Sequence, residues 1–296
     1  MSKNPPYLLT ALGITIAFVS CVSQKKTIST KAKLASIDSQ LVQYGTTLKS
    51  IDKQRINKLE QNQIDDTANF MIQKFIDSTN ADINRLHDEN SIIIGTAIVN
   101  KNDWNRLVQS LIVSERTSKK INNKVLLLTD LINHNTVINL DQDVIFQPGQ
   151  YTVAPAIEKA IGKFFEPAAK EIDQFIKKYP DFPLSLVITA KGYADGTAIA
   201  EGTTLYNNLA ERLKLNTDKP TAKDLNKELS RARAQAVIDL FKKFATVWSA
   251  NGNNVKNVLY LFEGKGDGLP DPKISDYKMD DARRRVVLLY WSVFPE

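Results

Sequence analysis

Few residues of this chain are equipped for covalent or metal chemistry. There is one cysteine, Cys21, so no internal disulfide can form. The two histidines, His87 and His134, stand far apart with no third ligand near either, so no zinc-type spacing exists. No nucleophile lies beside a base, and no paired carboxylates sit on a recognisable motif. The expectation is a protein that is not an enzyme and has no cofactor, catalytic residue or metal. What remains is charge-pair chemistry. An aspartate at a strand end presents a short, stiff carboxylate, and arginine offers a planar fork that takes a carboxylate by two parallel bonds. Asp195 follows a strand candidate. Asn226, Ser230, Arg233 and Val237 recur at four- and three-residue steps and so share one face of a helix candidate. Taken alone, Asp195 and Arg233 read as a structural salt bridge between strand end and helix.

The cysteine has a context of its own. Lys3 precedes an uncharged, largely apolar run, Tyr7 to Val19, which meets Ser20-Cys21. That run is about a dozen residues, whereas a membrane span needs roughly 20, so it reads as a signal-peptide core. Phe18-Val19-Ser20-Cys21 resembles a bacterial lipobox, with a small residue before the cysteine and Phe18 where leucine is usual. The resemblance implies a lipoprotein signal peptide over 1–20 and lipidation of Cys21. The other reading is an ordinary secretory signal with an incidental thiol. Two or three acyl chains give stable anchoring where one does not. Cys21→Ser should therefore leave an uncleaved or soluble species. If that variant still fractionates with membrane after a high-salt wash, lipidation is not the anchor.

The elements that would position these residues fall into two regions. Residues 21–30 are mostly polar and read as a linker. Residues 31–139 read as a helical stalk or bundle. Leu34, Ile37, Leu41, Tyr44, Leu48 and Ile51 alternate steps of three and four, an a/d seam that falters at Arg55. The seam either pairs chains or packs within an intramolecular bundle, and the amphipathic stretch that follows favours the bundle. Proline is absent between Pro6 and Pro148, so nothing stops long helices. Asp103 is placed to cap a helix carrying Trp104, Leu107, Leu111 and Ile112. The run Ile92 to Val99 between these helices fits either a strand or a buried helix.

From residue 140 the texture changes. Asp143 to Phe146 reads as a strand ended by Pro148-Gly149. A helix is predicted over 152–179, with Ile157, Ile161, Phe164, Phe165, Ile172, Phe175 and Ile176 inward, Pro155 in its first turn and a kink at Pro167. Leu184 to Ala190 reads as a second strand. Thr221-Ala-Lys-Asp224 resembles a capping box that opens a helix to about residue 250. Strands at 255–262 and 285–291 complete a β-α-β-α-β arrangement with a closing strand, an α+β sandwich. Hydrophobic residues make up 43% of the 296, enough for a real core. The net charge of +6 is scattered among acids rather than blocked, which points away from nucleic acid.

On these elements sit four pieces that resemble the OmpA-like peptidoglycan-binding domain. Phe146-Gln147 ends the first strand. Gly192-Tyr-Ala-Asp195 stands where the family has Gly-His-Thr-Asp. Asn226-Lys-Glu-Leu229-Ser230-Arg-Ala-Arg233-Ala234-Gln-Ala-Val237 matches the family's Asn-x-x-Leu-Ser-x-x-Arg-Ala-x-x-Val at every motif position. Gly264-Lys-Gly266 and Arg283-Arg284-Arg285-Val286 match its closing loop and Asn-Arg-Arg-Val. The chain departs from the pattern at Tyr193, Ala194, Ala198 and Arg283, and carries an insertion of about 20 residues between Asp195 and Asn226, with a helical turn at 205–213.

The resemblance implies an OmpA-like sandwich over 140–296 that folds alone and binds the diaminopimelate of the peptidoglycan stem peptide. Diaminopimelate ends in an ammonium and a carboxylate on one carbon. The resemblance gives the ammonium to Asp195 and the carboxylate to Arg233. It places Asn226, Ser230, Gln147 and Tyr193 about the same site and Arg285 in support of Asp195. Arg212, in the weaker echo Asn208-Leu-Ala-Glu-Arg212, is the rival arginine. The expected partners are peptidoglycan, outer-membrane lipid through acylated Cys21, and envelope proteins or a second copy through the N-terminal helices. The expected location is the outer membrane, facing the periplasm. The alternative is a structural subunit of an envelope secretion or motility machine with a weakened wall site.

Overall fold

Apolar residues at three- and four-residue steps produce three long helices in the first part of the chain: α1 (Gln24–Glu60), α2 (Asp66–Gly95) and α3 (Lys101–Asn133). The computed structural model describes residues 24–134, 137–147, 149–214, 219–248 and 254–295. Residues 1–20, where a signal peptide is expected, and Cys21, the expected lipidation site, lie outside the described residues. The chain forms two compact units. The first comprises the described part of Met1–Tyr44 with Ala81–Asn122, and the second Gly45–Asn80 with the described part of Asn123–Glu296.

In the first unit Leu34, Ile37 and Leu41 of the seam are buried, as are Ile83, Leu86, Leu107 and Ile121. A polar relay ties all three helices: Asn90 Nδ2 donates to Asp38 at 2.9 Å and Ser114 Oγ donates to the Asn90 carbonyl. The expected linker is absent from residue 24 onward, because α1 already includes Gln24–Thr30. That stretch holds no proline or glycine, and Thr30 Oγ1 bonds back to Lys26 O at 2.9 Å. The Ile92–Val99 run is neither a strand nor a buried helix. α2 continues to Gly95 with Ile92 exposed, and the rest is loop with Val99 exposed. Asn100, not Asp103, caps α3: its side chain accepts from Asp103 N at 3.0 Å, and Asp103 returns bonds to Val99 N and Asn100 N.

In the second unit the seam continues through buried Leu48 and Ile51. Arg55 does not break α1; it sits in the seam as a polar member, donating to Asp52 at 2.8 Å and to Asn69. The helix ends at Glu60, and two residues on the chain turns away at Asn62, whose φ of 52° is the left-handed conformation that asparagine tolerates better than most residues.

The same unit contains a mixed four-stranded sheet in the order β1-β4-β2-β3. β1 (Val137–Asp141) pairs antiparallel with β4 (Val286–Pro295), β4 antiparallel with β2 (Leu184–Gly192), and β2 parallel with β3 (Val255–Gly264). The α+β class is thus present. The first strand, however, lies at 137–141, not 143–146. Asp141 accepts from Asp143 N at 2.9 Å and bends the chain into one helical turn, α4 (Gln142–Ile145). α5 (Pro155–Lys178) runs on as one helix through Pro167, and Phe164, expected inward, is exposed. α6 (Thr204–Leu213) and α7 (Ala222–Trp248) lie between β2 and β3. The Thr221–Asp224 capping box forms as expected, with bonds of 3.1 and 3.2 Å.

Both inner strands, β2 and β4, are buried almost throughout, so both sheet faces are covered. α7 covers one face at unusually close range. Gly192 and Gly264 are register partners. A Cβ at Gly192 would stand 2.0 Å from Ser230 O, and one at Gly264 2.2 Å from Lys227 O. Gly192→Ala should therefore cost about 3 kcal/mol, measured by denaturant unfolding. An unchanged midpoint would mean that α7 is not seated on β2.

Residues before 137 cover the other face. Lys191, which points away from Gly192, pairs with Asp66 at 2.8 Å, and Tyr290 Oη donates to Asn62 O at 2.9 Å. At the end of α5, Asp130 of α3 meets Lys178 and the capping Tyr179 that follows it. The expected boundary at residue 140 is therefore corrected. It cuts β1, and residues 45–80 and 123–134 belong to the same compact unit as the sheet.

Candidate functional site

The polar end of β2 opens into a cavity of about 680 Å³. Four elements supply its charged wall: Asp195 from the loop after β2, Arg233 from α7, Asp143 from α4 and Arg285 from the approach to β4. The insertion supplies an apolar wall through Ile199 and Leu205, which faces Leu229 of α7.

Main-chain bonds fix the loop that carries Asp195. Ala194 N donates to Gly266 O at 2.7 Å and Gly196 N to Met279 O at 2.6 Å. Asn226, buried on α7, reaches the same loop from the other side, donating to Asp195 O at 3.3 Å and Thr197 O at 3.2 Å. Arg284 holds the 265–281 loop by donating to Lys278 O and Asp267 O. Asp195 is thereby presented from a rigid frame.

The Asp195 carboxylate accepts from Thr197 N at 3.1 Å and from Arg285 Nη1 at 2.9 Å. Burial pushes its pKa up, but the bonds from Arg285 and Thr197 outweigh burial and hold it below the usual carboxylate range. Arg285 also grips Asp143, with Nε at 3.0 Å and Nη2 at 2.6 Å. Two carboxylates thus share one guanidinium, whose pKa they raise. A carboxylate has about four lone-pair directions, so Asp195 retains capacity for a further donor.

Arg233 is held differently. Only 6% of it is exposed. Its Nε donates to Gln150 O at 3.0 Å, its Nη1 donates to Gln142 Oε1, and its guanidinium lies 5.4 Å from the centre of the Phe146 ring. Among the described residues no carboxylate pairs with it. Burial lowers its pKa to about 10, and the Asp143 and Asp195 charges only partly oppose that. The salt bridge between Asp195 and Arg233 that the spacing favoured does not form; Arg285 takes its place. The result is a fixed anion and a buried cation on one cavity wall, each held by neutral or second partners. Such a wall complements a zwitterion.

The chain matches no family model and no curated protein.

Of the residues expected at the site, the cavity brings together Asp195, Asn226, Arg233 and Arg285. The other three lie elsewhere. Ser230 is fully buried on the sheet-facing side of α7; its hydroxyl donates to Lys227 O at 2.8 Å and accepts from Gly266 N at 3.0 Å. Tyr193 belongs to the core on the opposite sheet face, with Val286, Leu288 and Tyr290, and burial raises its pKa to about 12. Gln147 is exposed and does not line the cavity. The rival Arg212 holds α6 to α7, donating to Glu228 at 2.9 Å and Gln235 at 3.2 Å, and is also outside the cavity.

Two contributors were not anticipated. Gln142 replaces sheet bonding at the end of β1: its Nε2 donates to Tyr193 O at 2.7 Å and Val286 O at 2.8 Å, while its Oε1 receives Arg233. Asp143 completes the Arg285 clamp. Reading 143–146 as a strand hid both, since only the turn at Asp141 turns them to the site.

Proposed function

We propose that this chain is a lipid-anchored envelope protein whose second unit has an OmpA-like sandwich and binds peptidoglycan non-covalently through diaminopimelate. The observation that carries the reading is Arg233: a buried guanidinium on a cavity wall, with no carboxylate of its own among the described residues, near an ionised aspartate already braced by another arginine. A ligand with an ammonium and a carboxylate on one carbon satisfies both. Asp195 takes the ammonium, and Arg233 takes the carboxylate in the cavity. Arg285 positions Asp195, and Asn226 positions the loop that carries it. The aliphatic stem of the ligand lies along Ile199, Leu205 and Leu229. The chemistry is recognition only: desolvated charge pairs on a rigid frame, with no bond made or broken. Acylated Cys21 would make the chain a tether between the outer membrane and the wall.

Co-sedimentation with purified diaminopimelate-type peptidoglycan tests the reading, with calorimetry against free diaminopimelate as the second measurement. Saturable binding in both supports it. Absence of binding in both removes the wall site and leaves the reading as a structural subunit of an envelope machine.

A further inference from the structure

The loop end of the first unit joins two features. The last turn of α2 and the loop that leads to α3 run Ser-Ile-Ile-Ile-Gly-Thr-Ala-Ile-Val-Asn over 91–100 without a charge. Loops, and the solvent-facing side of a surface helix, are ordinarily polar. Here Ile92 is 68% exposed and Val99 73%, and Ile28, near the start of α1, is 61% exposed. Lys31 brings these pieces together. Its Nζ donates to Ile94 O at 2.6 Å and to Thr96 O at 2.7 Å, so the opening turns of α1 lie against the loop. Ile28 is three residues before Lys31 and shares its face.

The charges about this apolar end are mostly of one sign. From Gln24 to Ile37 the chain has Lys25, Lys26, Lys31 and Lys33 and no acid, and Lys101 follows the loop. Asp103 is engaged as the return half of the α3 cap. The acids of α2, Asp88 and Glu89, lie about one turn back from Ile92. Exposed branched aliphatics flanked by lysines fit the boundary between anionic headgroups and acyl chains. No helix among the described residues is long and apolar enough to cross a membrane, so the fit is to a bilayer surface.

We propose that this end of the first unit seats on an anionic bilayer, with Ile28, Ile92 and Val99 entering the apolar layer and the lysines meeting lipid phosphates. The orientation rests on the reading of Cys21 as the acylated residue. Only Val22 and Ser23 separate it from Gln24, so three residue steps, roughly 11 Å at most, tie the acyl chains to the start of α1. The seat adds apolar burial and lipid charge contacts to the anchor.

The test uses residues 22–296, which keep every described residue and carry no acyl group, with vesicles of phosphatidylethanolamine and phosphatidylglycerol against vesicles of phosphatidylcholine alone. The chain should co-sediment with the anionic vesicles. Ile92→Asp with Val99→Asp should weaken that partition at least about tenfold, with helical circular dichroism unchanged. Ile92→Ser with Val99→Ser gives the same readout if the acidic pair disturbs folding. Lys25→Gln with Lys26→Gln should erode the preference for anionic lipid. No partition, or partition that the Ile92/Val99 and the Lys25/Lys26 double variants all retain, overturns the proposal. So does a dimer in sedimentation velocity that these variants dissolve, which would make a second copy the occupant. Because the assay contains no acyl chain, its outcome is independent of the Cys21→Ser fractionation.

Discussion

Arg233→Ala should weaken binding to diaminopimelate-type peptidoglycan by a factor of roughly 30 to several thousand, and Asp195→Ala by a comparable factor. On the proposed reading, binding brings one ligand charge against each of these groups inside a cavity. Removing either partner leaves the other charge desolvated and unpaired, which costs about 2–5 kcal/mol. Arg233→Lys is the sharper variant. It keeps the charge but loses the fork that bonds Gln150 and Gln142 and that would take the ligand carboxylate on the proposed reading, so most of the loss should remain. Lysine-type wall peptide lacks the carboxylate at the recognised centre and should bind as weakly to the native chain as diaminopimelate-type wall does to Arg233→Ala. Arg212→Ala is a control for binding rather than for stability. Glu228, which Arg212 bonds, is buried, so the variant should unfold more easily while its wall binding stays near native. Co-sedimentation isotherms with circular dichroism decide the matter. Full binding by both Arg233→Ala and Asp195→Ala would remove the cavity from the function.

The parts of this arrangement that were legible are those set by local pattern. Helix face and capping gave α7, and with it Arg233 and Asn226 on the cavity side. Apolar runs gave β2, β3 and β4 to within a few residues. Ser230 was misplaced because three- and four-residue spacing defines a face only coarsely. It shares the face, but its hydroxyl turns to the Gly266 amide that the close Gly192–Gly264 approach brings near. Tyr193 was misplaced by parity: next to Gly192, which faces α7, it must face the other way. Gln142 and Asp143 were illegible because one side-chain bond from Asp141 turns an extended run into a helical turn. The partition into units was illegible because it depends on contacts far apart in sequence, such as Asp66 with Lys191.

Those long-range contacts set the second large effect. A fragment of residues 137–295 should fail to reach a fixed tertiary structure, or should lose at least about 5 kcal/mol against residues 24–295. The segments removed close one face of the sheet. Without Asp66, Lys191 loses the ion pair that accompanies its burial. Without Asn62, Tyr290 loses its acceptor and its cover; the ring is 1% exposed in the intact chain. Re-exposing one buried aromatic costs about 1.5–3 kcal/mol. The packing of His134 on Phe175 and Trp291, with ring centres 5.7 and 6.4 Å apart, goes as well. Several such losses match the roughly 5–15 kcal/mol that holds an ordinary domain together. Tyr290 also supplies a local readout. Burial pushes its hydroxyl far above the ordinary tyrosine value, so in the intact chain it should stay protonated in alkali, and in the fragment it should titrate near pH 10, as a free tyrosine does. Near-ultraviolet circular dichroism, thermal unfolding and phenolate absorbance follow the three consequences separately. A fragment that melts with residues 24–295 and keeps Tyr290 protonated would show that the sheet needs no cover from the helices, and that the helical segments and the sheet are thermodynamically independent.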